Sequence, residues 1–189
     1  MSNDTPEPAP SPEDALYARA RAERIRQFLV DRKAPPLEEG EEVRKLSSNS
    51  TLAVIMMTDT LFVAAELSGE PTWEQYAVMC GVITCLSDAI TQFAGLPREG
   101  VPYMVSDAIH YLFFGPDRKE WPKTEQTYAF AATQYKHMME DSGLRQQVDA
   151  LGGAFYNYLA TDDEQHLAAM EEIFRDLAVN PSLPESIRQ

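Results

Sequence analysis

The sequence predicts an all-α protein, a bundle of six or seven helices joined by short loops and preceded by a disordered Pro-rich tail. Apolar residues recur at helical spacing through most of its 189 residues. Helix start and stop signals bracket those periodic segments. No Asn-Gly or Asp-Gly turn lies between alternating apolar runs, so hairpin signals are missing.

Taken in order, residues 1–12 are acidic and Pro-rich and are expected to be a disordered tail. Ser11 can cap a helix whose first residue is Pro12 and whose first turn carries Glu13 and Asp14. That basic amphipathic helix, 13–34, has Leu16, Ala20, Ile25, Phe28 and Leu29 on a loose apolar stripe, with Arg19, Arg24 and Arg26 around it. Ala34-Pro35-Pro36 stops it, and 35–45 reads as an acidic linker.

A helical core domain is expected over 46–180. Its first helix, through Leu52–Leu67, is apolar almost all round and is expected to be the most buried. Gly69 is expected to close it. Thr72-Trp73-Glu74-Gln75 matches a capping box, opening a helix with Tyr76, Cys80, Ile83, Ser87, Ile90 and Phe93 at helical spacing. Gly95 and Pro97 end it. A shorter helix runs from Pro102 to Gly115-Pro116. The next has Tyr128, Ala132, Tyr135 and Met139 on its expected inner face, and Gly143 punctuates. Leu144, Val148, Leu151, Phe155 and Leu159 form a further stripe. Thr161-Asp162-Asp163-Glu164 is a second capping-box match, before a helix with Leu167, Met170, Phe174 and Leu177 facing inward. Residues 181–189 form a C-terminal tail.

Composition narrows function. Sixteen Lys and Arg against thirty Asp and Glu leave a net charge of −14. Phosphate contacts need clustered cations, so nucleic acid is not an expected partner. The N-terminus has neither the charged nor the apolar region of a signal peptide. No run of about 18 residues is free of charge, so no membrane span is expected. Two cysteines argue against a disulfide framework, and a cytoplasmic location is expected. No phosphate loop, nucleophile elbow or His-Glu-x-x-His helix occurs, and no cofactor is expected.

Two readings follow. In the first, the chain is a non-enzymatic interaction protein that binds and restrains another protein: a toxin, an effector or a transcriptional regulator. The charge is segregated, with six cations against two acids in 15–33, and ten cations against twenty acids in 43–189. An acidic body suits a partner with a basic surface, because complementary fields speed association and discriminate among partners. Glu171, Glu172 and Asp176 have no helix-capping duty and are the expected contacts, with Arg19, Arg24 and Arg26 as the second surface. Adjacent large residues, Phe113-Phe114, Met138-Met139, and Tyr156 with Tyr158, point to a homodimer, since one layer of neighbours rarely covers both.

The alternative reading is a helical metal-binding protein or metalloenzyme. Asp107 with His110, and Asp163 with His166, each place a carboxylate and an imidazole three residues apart on one helix face. Asp59, Glu66 or Asp88 would complete the set. The simpler account of each pair is a satisfied or solvated histidine, and Asp163 is favoured at a helix start without any metal. His137 is expected to face solvent. Cys80 reads as a small core residue, and Cys85 has no cation near it in sequence to activate it. The methionines read as core filling, or as a groove for varied apolar partners.

Overall fold

Six α-helices and no strand make up the described residues of a computed structural model: 41–65, 72–115, 122 and 124–185. The expected basic helix with Arg19, Arg24 and Arg26 lies outside them, as do the tail 1–12, Glu66 and Gly69. In chain order the helices are α1 (Glu41–Ala64), α2 (Trp73–Ala94), α3 (Val101–Phe114), α4 (Thr124–Glu140), α5 (Ser142–Thr161) and α6 (Glu164–Val179), with a 3-10 turn, Arg98–Gly100, before α3. The first helix starts inside the expected linker, at Glu41.

The centre of the bundle is α2. It packs against each of the other five helices, and fourteen of its residues are buried. Its start is the expected capping box: Thr72 Oγ1 accepts from the Gln75 N–H, and Gln75 Oε1 accepts from the Thr72 N–H. Its end is Gly95, whose left-handed φ of 62° favours a residue without Cβ. This helix is long and apolar enough to cross a membrane by composition, but 78% of its most apolar window is buried inside the bundle. Its burial is that of a core helix.

The expected order of burial is therefore reversed between the first two helices. Met56 and Val63, seven residues apart on α1, are 51% and 62% exposed. The reason lies in side-chain size. Small residues on α2, among them Ala77, Cys80, Gly81, Cys85 and Ala89, let several helices approach at once. A Cβ built on Gly81 would lie 2.5 Å from Met138 Sδ and 3.2 Å from Gln134 Cγ on α4, so that crossing depends on glycine. The described part of α1 is larger in girth, and it presents Ile55, Leu61 and Phe62 inward from one side.

Close approach at Gly81 also sets the rotation of α4. Its buried positions are Thr127, Ala131, Gln134 and Met138, not the expected Tyr128, Ala132, Tyr135 and Met139, which are half-buried. Two polar residues on the inner face hid it from the hydrophobic pattern. On α5 and α6 the centres of the expected stripes are buried, Val148, Leu151 and Phe155 on one and Met170, Phe174 and Leu177 on the other, while Leu144, Leu159 and Leu167 are half-buried. Phe174 meets Phe62 at 5.7 Å between ring centroids, tying α6 to α1.

Between α5 and α6 the second capping box does not form. Asp162 adopts φ 55° and ends α5, and Asp163 alone caps α6 by accepting from the Gln165 N–H. One chain reversal in so few residues leaves Thr161 inside α5. At the α4–α5 junction Asp141 is the cap, accepting from the N–H groups of Gly143 and Leu144. Those two bonds hold its carboxyl below the usual range.

Residues 181–185 of the expected tail lie along α4. Leu183 is buried, Gln134 Nε2 donates to the Ser182 carbonyl at 2.8 Å, and His137 Nε2 lies 3.1 Å from Ser182 Oγ. His137 is thus half-buried under the chain end rather than facing solvent.

Candidate functional site

A cleft of about 270 Å³ opens between α2 and α5, with one residue of α4 in its lining. Its α2 wall is a single helical stripe, Cys85, Asp88 and Gln92, at spacings of three and four. Its α5 wall is Asp149, Gly152, Gly153 and Tyr156, and Tyr135 comes from α4. The depth of the cleft follows from the paired glycines. A Cβ on Gly152 would meet Cys85 Sγ at 3.2 Å, so this glycine brings the two helices together. A Cβ on Gly153 would meet nothing within 4 Å.

The polar groups are oriented by neighbours. Gln92 Nε2 donates to Asp88 Oδ2 at 2.8 Å, and Arg145 Nε lies 3.5 Å from Asp149 Oδ2 across one helical turn. Tyr156 stands edge-on to Phe93 at 5.4 Å, both rings about two-fifths exposed. At the cleft floor the Cys85 thiol donates to the Val148 carbonyl at 3.4 Å. Burial, with the negative charges of Asp88 and Asp149 beside it, pushes this thiol up to about 12. The same surroundings favour the neutral thiol over the thiolate. The same burial, with Cys85, Asp88 and Asp149 nearby, raises the Tyr135 hydroxyl to about 12, against a smaller opposite pull from Arg98. The cleft therefore presents two Asp side chains, two tyrosines and a buried thiol.

The residues expected as metal ligands are dispersed. His110 is buried on α3, its Nε2 2.7 Å from Thr127 Oγ1 of α4, and its ring stands edge-on to Phe114. Asp163 is the cap of α6, and His166 lies in the first turn of that helix. Among the described residues no three His, Cys, Asp or Glu side chains gather as a metal would require, so the two Asp-x-x-His pairs do not form one centre. Asp88 belongs to the cleft instead.

Burial of His110 has a consequence for stability. Desolvation pushes its pKa below the ordinary 6.5, outweighing the opposite effect of the Asp107 carboxylate. As pH falls, the unfolded chain takes the proton before the folded one. The associated stability is present above about pH 6.5 and is lost as pH falls toward the folded value. Urea midpoints are expected to drop between pH 7.5 and 5.5, with a shallower slope in His110→Gln. Equal slopes in the two chains would show that His110 does not carry this dependence.

The expected protein contacts are on the surface. Glu172 and Asp176 are exposed and Glu171 is half-buried. Arg175, the cation beside them, donates from Nη2 to the Ala64 carbonyl at 2.9 Å. Among the large pairs that pointed to a homodimer, Met138 is buried and Phe113 half-buried, leaving Phe114 and Tyr156 about two-fifths exposed. Buried Met57, Met79, Met104, Met138 and Met170 fill the core, and both cysteines are free and buried. Comparison with protein-family models, curated proteins and solved structures found no match.

Proposed function

We propose that this chain is a non-enzymatic cytoplasmic interaction protein that binds and restrains another protein bearing a basic surface, such as a toxin, an effector or a transcriptional regulator. The observation that carries the reading is the use of Arg175. It serves the last carbonyl of α1, Ala64, where a cation is favoured by the helix dipole, and so leaves Glu171, Glu172 and Asp176 without an ion pair among the described residues. Exposed Glu172 and Asp176, with half-buried Glu171 beside them on a packed helix, form an acidic patch preorganised for a basic partner. A second copy remains an element of this reading, with Phe114 and Tyr156 as the apolar surface to cover.

The test is charge reversal of Glu171, Glu172 and Asp176 to Lys in the full chain. Capture of the native partner is expected to fall at least tenfold, chiefly through slower association, and the wild-type rate should drop steeply with added salt. Thermal stability should change little, since Glu172 and Asp176 are exposed and Glu171 is only half-buried. A triple variant that captures its partner like wild type would reduce the acidic stripe to a solvated face.

A further inference from the structure

We infer that the cleft between α2 and α5 receives a single arginine side chain of the basic protein partner. The inference rests on the proposed docking of such a partner, and it assigns the anchor point. Three independent features converge on it.

The first is the glycine pair. Glycine in a helix interior is disfavoured relative to alanine. Contact with Cys85 explains Gly152, but packing does not explain Gly153, whose Cβ position is empty of protein atoms. Gly153 lines the cleft at its exposed rim, where a side chain would narrow the entrance. Glycine there is what close approach of a ligand to the α5 backbone requires.

The second is the aromatic wall. Tyr135 and Tyr156 present rings to the cleft, and the edge-on contact with Phe93 fixes the second ring. A planar, weakly hydrated guanidinium stacks on such rings better than a compact, strongly hydrated ammonium does.

The third is the charge. Gln92 donates to Asp88 Oδ2 and Arg145 lies against Asp149 Oδ2, and each carboxylate has a second oxygen with acceptor capacity. Arg145 is exposed and its pair with Asp149 is weak, so an incoming guanidinium shares or displaces it. Arg98, on the exposed 3-10 turn, acts on Tyr135 through its charge alone and only moderates the field.

An arginine side chain, rather than a free small molecule, follows from the shape. Gly153, Asp149 and Tyr156 at the rim are exposed, so the cleft encloses a side-chain tip and leaves its stem outside. A small-molecule site usually encloses most of its ligand.

The experiment titrates the full chain with N-acetyl-L-arginine amide, using N-acetyl-L-lysine amide and N-acetyl-L-leucine amide as comparisons, and follows backbone amide resonances. The arginine compound is expected to give saturable shifts at Tyr135, Gly152 and Gly153, with the lysine compound at least fivefold weaker and the leucine compound silent. Asp88→Asn and Asp149→Asn should each weaken binding at least fivefold. Gly153→Val should abolish it; because that change can also disturb α5, the two Asn variants carry the test if it does. Absence of saturable shifts, equal binding of all three compounds, or shifts that survive both Asn changes would overturn the inference. No partner protein is used, so failure here leaves the acidic stripe of α6 to be judged by its own capture experiment.

Discussion

Replacing Ile83 by Asp is expected to leave the chain unfolded in neutral buffer. Ile83 is fully buried in the middle of α2, the helix against which all five others pack. Removing a buried isoleucine side chain costs about 2–5 kcal/mol, and an unpaired buried carboxylate adds several more. Against a typical total of about 5–15 kcal/mol the folded state is exhausted or nearly so. The same change at Met56 on α1, where half the side chain is in water, should alter stability by about 1 kcal/mol or less. Circular dichroism and limited proteolysis separate the outcomes. An Ile83→Asp chain with native helicity and protease resistance would show that α2 is not the element on which the bundle is assembled.

Much of this fold was legible because its helices obey one rule each. The α5 and α6 stripes read correctly because their buried positions are all apolar and recur at three and four residues. The start of α2 read correctly because Thr72 and Gln75 make both bonds of the box locally. Legibility failed where a neighbour decided. On α4 the packing at Gly81 turned Thr127 and Gln134 inward, and a pattern that counts polar residues as outer points to the adjacent stripe. At 161–164 the matching residue types were present, but α5 continued through Thr161 and took the first position of the box away. The precedence of α2 over α1 was missed because apolar content measures how much surface a helix can bury, whereas small residues decide how many helices reach it.

The cleft was the least legible feature. Its walls come from three helices whose relative rotations no local pattern states; of its acids, Asp88 reads in sequence only as a candidate metal ligand, and Asp149 looks like an ordinary surface charge. Only Gly152-Gly153, set inside an otherwise regular helical stripe, marked the place, and such a pair by itself reads as a weak point in a helix. By contrast the acidic stripe of α6 was visible as composition, and what the fold adds is the removal of Arg175 to the end of α1.

Gly81→Leu is expected to be the most damaging change that introduces no polar group. At this position even one added carbon meets Met138 Sδ at 2.5 Å and Gln134 Cγ at 3.2 Å, with the Tyr135 backbone nitrogen 3.7 Å away. Met138 and Gln134 are themselves buried, so neither has solvent to move into. Alanine should destabilise by about 1 kcal/mol net, because overpacking of about 1–3 kcal/mol is partly offset by roughly 1 kcal/mol of better helix propensity. Leucine has the same gain in propensity but must push α4 away from α2, and a loss of about 4 kcal/mol or more is expected. A double-mutant cycle isolates the contact. Combining Gly81→Ala with Met138→Ala should cost about 1 kcal/mol less than the two separate losses together, because truncated Met138 vacates the space the new methyl needs. Strict additivity, or a Gly81→Leu chain as stable as wild type, would mean that α2 and α4 do not cross at Gly81, and the rotation of α4 that buries Gln134 would lose its physical cause.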